Sequence, residues 1–170
     1  MSKAFTRESD DLPERPARPR PTTALPPGTK NLLTPDGAQR LRAELERLQQ
    51  EEQAEASTAA SEGVGETGDL ARARRIQHLQ QCLQTAVVTP PPAPPWEQVR
   101  FGATVTVRKP GGEETRYRIV GVDEMDVDRD WVSWLSPIAR ALLNARLGQR
   151  VRFKFPAGEE ELEITSIAFE

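Results

Sequence analysis

The chain has 170 residues, a formal net charge of −3 and a pI of about 5.4, with 36% hydrophobic, 29% charged and 5% aromatic residues. One cysteine and one histidine exclude a disulfide framework and a Cys/His-rich zinc site. No apolar run approaches the roughly 20 residues of a membrane span, and the first 30 residues hold no signal-type apolar stretch, so a soluble, cytoplasmic, monomeric protein with no membrane partner is expected. The charge balance offers no clustered basic surface for a broad grip on a nucleic-acid backbone.

Residues 1–30 hold Pro13, Pro16, Pro19, Pro21, Pro26 and Pro27 but little apolar bulk beyond Phe5, Leu12 and Leu25. Such a segment cannot offset its ordering entropy by burial, and a disordered tail is expected. Residues 31–88 read as an antiparallel helical hairpin, a short coiled coil. Thr34 suits a helix cap, Pro35 the first helical position and Asp36 the positive end of the dipole. Ala38, Leu41, Leu45 and Leu48 then repeat at spacings of 3, 4 and 3. Residues 56–68, with Gly63, Gly65 and Gly68, form the expected tip loop. From Asp69 a second seam runs through Ile76, Leu79, Leu83 and Ala86 or Val87, and each stripe would bury the other. Thr89–Pro95, five of seven residues proline, is a stiff extended linker.

Residues 96–170 read as a small β-rich domain with one helix, which makes the whole chain α+β. Alternation through Val105 and Val107, the turn Pro110-Gly111-Gly112 and the return through Tyr117, Ile119 and Val120 give a hairpin. Trp131–Leu135 is a third strand. Ser136-Pro137 starts a helix that Leu147-Gly148 closes. Val151, Phe153 and Phe155, then Leu162, Ile164 and Ile167, form two more strands about the turn Pro156-Ala157-Gly158. His78 and Cys82 lie four apart beside the seam, as a surface imidazole and a half-buried thiol; two ligands do not make a structural zinc site, and no permanently bound metal is expected. Trp131 and Trp134 suit a core or sheet face. Asp123, Glu124, Asp126, Asp128 and Asp130 make a solvated loop or an acidic rim, without the glycine and glutamate of an EF-hand.

The segment Ser133-Trp-Leu-Ser136-Pro137-Ile138-Ala139-Arg140-Ala141-Leu142-Leu143 resembles the Ser-x-x-Ser-Pro-apolar-Ala motif of the bacterial Gre transcript-cleavage factors. Arg116-Tyr-Arg-Ile-Val-Gly-Val-Asp-Glu124, Phe155-Pro-Ala-Gly158 and Leu33-Thr34-Pro35-Asp36-Gly37 are similar to other family segments, in the family's order, and Ser2–Asp11 resembles the tail of GreB-type members. The resemblance implies an FKBP-like C-terminal domain that docks at the RNA polymerase secondary channel, here through Asp123, Ser136 and Pro137. It implies a hairpin that reaches down the channel and lends acidic tip residues to a second Mg²⁺ beside the nascent RNA. The factor would not be an enzyme itself, and would have no cofactor of its own. The family tip, Gly-Asp-x-x-Glu-Asn followed by tyrosine, has its counterpart in Gly65-Glu66-Thr67-Gly68-Asp69-Leu70, with the acids Glu66 and Asp69 in swapped order and Arg72 at the tyrosine position. Arg72, Arg74 and Arg75 are the expected contacts to RNA or the channel wall. The second arm is shorter than the family's by about three turns, on the order of 15 Å. Two outcomes stay open: stimulated cleavage of backtracked RNA, or occupation of the channel without cleavage, which would modulate or inhibit transcription. A proline-isomerase role is a third, disfavoured by the aromatic-poor composition and because fold alone does not carry function.

Overall fold

A computed structural model describes residues 25–58, 66–155 and 158–169. Most of the expected tail (1–24), the centre of the expected tip loop (59–65) and Pro156-Ala157 lie outside the described residues.

The chain enters through a short strand, β1 (Asn31–Leu33), and helix α1 (Pro35–Thr58). The Thr34 hydroxyl accepts the Gly37 N–H at 3.0 Å and Pro35 takes the first helical position, as capping chemistry dictates. Helix α2 (Glu66–Thr85) leads directly into β2 (Ala86–Val88), which pairs in parallel with β1. Leu33, Ala38, Leu41 and Leu48 bury against Ile76, Leu79 and Cys82, with Leu45, Leu83 and Ala86 at the margin. The first seam is the expected one. The second shifts: Cys82, three residues after Leu79, is its fully buried member, and Leu83 and Ala86 lie at its margin. Ion pairs Glu44–Arg75 and Glu55–Arg72 tie the two helices, so partner numbers fall on one as they rise on the other.

The second unit is a five-stranded sheet in the order β5-β4-β3-β7-β6, with β3 (Ala103–Arg108), β4 (Glu114–Val120), β5 (Trp131–Ser133), β6 (Arg150–Phe155) and β7 (Gly158–Phe169). All neighbours are antiparallel except β4 and β5. One face packs Val105, Val107, Ile119, Leu162, Ile164 and Ile167 against Ala139 and Leu142 of helix α3 (Pro137–Leu142). The opposite face carries Thr104, Thr106, Arg116 and Arg118, set by the period-two alternation of paired strands. Helix α3 is shorter than the sequence suggests. It ends at Leu143, where Asn144 takes a positive φ of 67°, and Leu147-Gly148 belongs to the following turn.

Candidate functional site

The junction between the helix pair and the sheet is built on two adjacent carboxylates. Asp123 and Glu124 lie in a 3₁₀ turn (Val122–Glu124) directly after β4. The Glu124 side chain is fully buried. One oxygen accepts the Thr34 and Gly121 N–H groups, each at 2.9 Å, and the other accepts the Thr34 hydroxyl, with Arg40 3.7 Å away. A carboxylate taken from water is tolerated only when such donors surround it. Asp123 faces α2: Oδ1 is 2.8 Å from His78 Nε2, and Oδ2 accepts from Cys82 Sγ at 3.0 Å. Asn31 Nδ2 donates to the Cys82 carbonyl at 3.0 Å. Burial, reinforced by the Asp123 carboxylate, pushes the Cys82 thiol up to about 12, so it stays protonated and acts as a donor.

The expected docking residues therefore divide. The Asp123 side chain is 5% exposed and both its oxygens are engaged within the chain, where the turn after β4 points it at α2. The same contacts make His78, whose imidazole is partly exposed as expected, and Cys82, buried rather than half-buried, parts of this joint. Ser136 caps α3, its hydroxyl accepting the Ala139 N–H at 3.2 Å, and Pro137 is exposed at the first helical position. The Trp134 Nε1, two residues earlier in the chain, is buried without a hydrogen-bond partner among the described residues.

At the far end of the helix pair, Glu66 and Asp69 fall in the first turn of α2, and their side chains lie outside the described residues. Two of the arginines nearby are engaged within the molecule. Arg75 meets Glu44 in a two-pronged pair with both contacts at 2.8 Å, which holds the Glu44 carboxyl below its ordinary range. Arg72 pairs with Glu55, and Arg74 is exposed. Glu124 and the Thr34 it holds escaped the sequence reading as functional residues, since an acidic run after a strand looks solvated.

A family described as "Transcription elongation factor, GreA/GreB, C-term" matches residues 93–169. The transcription elongation factor GreB of Neisseria meningitidis serogroup B is 38% identical over 155 residues, spanning 83% of this chain and 95% of its own length. This chain belongs to the GreA/GreB family of transcription elongation factors. A GreA of Alkalilimnicola ehrlichii is 39% identical over 153 residues, covering 81% of this chain and 96% of that protein. A solved GreA/GreB factor from Nitrosomonas europaea is 25% identical over 82% of this chain and all of that one, with a TM-score of 0.41. Among the described residues no group of three or more His, Cys, Asp or Glu is placed to hold a metal ion, and no helix is long and apolar enough to cross a membrane.

Proposed function

We propose that this Gre factor binds RNA polymerase through its C-terminal sheet domain, at the secondary channel. Its two N-terminal helices form a coiled-coil hairpin directed toward the active site and the nascent RNA. The observation that carries the reading is the Ser136-Pro137 start of α3, which sits partly to fully exposed within the segment the family shares. Asp123 contributes indirectly, by holding α2 through His78 and Cys82. At the tip, Glu66 and Asp69 supply hard oxygen ligands of the kind Mg²⁺ takes, and Arg74 faces RNA phosphate or channel wall. A second Mg²⁺ shared with the polymerase would activate water and neutralise charge on the scissile phosphate.

The start of α2 at Glu66 also favours a second reading. Carboxylates in a first helical turn stabilise that helix against its own dipole, so Glu66 and Asp69 have a structural use without cleavage. The factor would then occupy the channel and modulate transcription. Purified backtracked elongation complexes distinguish the readings. Shortened, extendable RNA that disappears with Glu66→Ala/Asp69→Ala supports stimulated cleavage. Absence of cleavage, with displacement of an authentic GreB, supports channel occupation. The absence of both cleavage and displacement refutes polymerase binding itself.

A further inference from the structure

The proline run between β2 and β3 takes no part in the α3 motif or the tip. Residues 89–95 read Thr-Pro-Pro-Pro-Ala-Pro-Pro, and residues 89–93 form neither helix nor strand. Thr89, Pro90, Pro91, Ala93 and Pro94 each precede a proline, which biases their backbone toward the extended polyproline II form. Exposure along the run repeats every three residues. Thr89 and Pro92 are half-buried, while Pro90, Pro91, Ala93 and Pro94 are exposed. Three is the number of residues per turn of a polyproline II helix, whereas a strand would alternate by two. One edge of this three-sided rod therefore lies against the protein, and two edges, Pro90/Ala93 and Pro91/Pro94, face outward. The Pro94–Pro95 bond that follows is cis.

The rod is held at both ends. The Thr89 N–H donates to the Leu33 carbonyl at 2.9 Å, next to the β1–β2 pairing. The Trp96 Nε1 donates to the Pro92 carbonyl at 3.0 Å, and its ring packs on Phe169 with the ring centres 5.5 Å apart. Proline has no N–H, so the run offers a partner its rings and its carbonyl acceptors but few donors. The Trp96 contact shows, within the chain, which kind of group reads such a carbonyl: an aromatic ring that carries a donor. Stiffness alone would account for a spacer. It does not account for an apolar surface that begins ahead of the prolines, at the exposed Val87 and Val88.

We propose that residues 87–94 are a docking ligand for a protein that carries an aromatic-lined polyproline groove of the WW kind. The groove covers the two outward edges. Its aromatic rings pack against Pro91 and Pro94, and its indole or phenol donors bond the outward carbonyls. The rod is fixed in advance, so docking loses little ordering entropy. No Lys or Arg lies within residues 76–99, so the matching groove reads rings and needs no acidic pocket. The surface lies apart from the start of α3 and from the Glu66/Asp69 tip, so its failure leaves the polymerase readings untouched.

The probe is a purified, isotope-labelled WW domain already shown to bind decaproline. It is titrated with the full-length protein and followed through its own tryptophan indole N–H shifts. The expected result is saturation with a Kd below about 1 mM, with shifts confined to the groove and reversed by added decaproline. Pro91→Ala and Pro94→Ala should each weaken binding about tenfold, and Pro92→Ala, on the inward edge, less than about threefold. The far-UV circular dichroism of each variant should match the parent, which keeps the comparison between folded proteins. A Kd above about 1 mM overturns the proposal, as does binding that decaproline does not displace. Equal weakening by Pro91→Ala and Pro92→Ala also overturns it, because stiffness and not ring recognition would then be what the run supplies.

Discussion

Glycine inside a helix normally costs about 1 kcal/mol relative to alanine, so Gly37→Ala in the first turns of α1 would ordinarily stabilise the chain. Here it should do the reverse. A Cβ at Gly37 would lie 1.6 Å from Glu124 Oε1, 2.1 Å from its Cδ and 2.7 Å from its Cγ. The carboxylate cannot step aside without giving up the buried Thr34 and Gly121 donors. Each orphaned N–H costs about 1–3 kcal/mol, and relief of the buried charge returns part of it. Glu124→Ala should therefore lose about 3–4 kcal/mol, and Gly37→Ala about 2–3 kcal/mol after its helix-propensity gain. Both break the same anchor, so the double variant should be no worse than Glu124→Ala alone, a coupling of about 2–3 kcal/mol. Urea unfolding read twice gives the answer, because far-UV circular dichroism weights the helices while Trp96, Trp131 and Trp134 all report the sheet domain. Additive losses, or a Gly37→Ala variant as stable as the parent, would refute the argument that Glu124 is the anchor.

Two further outcomes follow from the ionisable groups. Cys82 is raised to about 12 in the folded chain against about 9 ordinarily, so its contribution is whole below pH 9 and is lost as pH rises toward 12. Chemical unfolding should show a downward slope in stability above pH 9 that Cys82→Ser flattens, and native Cys82 should resist iodoacetamide until urea exposes it. Glu44 is lowered by Arg75, so its stabilisation is present above the ordinary glutamate range and lost as pH falls through the depressed value. Both partners are about a third or more exposed, so Arg75→Gln should cost no more than about 1 kcal/mol at pH 7, and less as pH falls below the ordinary glutamate range, by thermal melts across that range.

The seam of α1 was legible because Ala38, Leu41, Leu45 and Leu48 repeat on a helical period long enough to be unambiguous. Strands β3, β4 and β7 were legible through alternation. The short strands β1 and β2 were not, since three residues cannot display a period and their pairing spans more than 50 positions. The end of α3 was misplaced because Gly148 is the stronger stop signal on paper, whereas Asn144 adopts the left-handed turn in the chain. Ser136 and Pro137, the start of α3, were visible as a motif. The inward turn of Asp123 and Glu124 was not, because an acid's burial depends on donors that arrive from Thr34, Gly121, His78 and Cys82, all but one of them distant in sequence.

The position of those two acids bears on function through leverage. Helix α2 is 20 residues long, about 30 Å, so a tilt of about 10° at its root displaces the far end by about 5 Å. Metal ligands must be placed to about half an ångström to act. The aim of the tip is thus decided at the root, where Glu124 holds the start of α1 and Asp123 holds α2 from the same turn of the sheet domain. The ion pairs of Arg75 and Arg72 extend the coupling of the helices outward but lie nearer solvent, where each contributes little. A buried carboxylate at the joint is an expensive anchor compared with an apolar contact, but its hydrogen bonds admit one geometry where sliding leucines would admit several. For a factor proposed to work at the end of a lever, that directional hold is the property the junction must have.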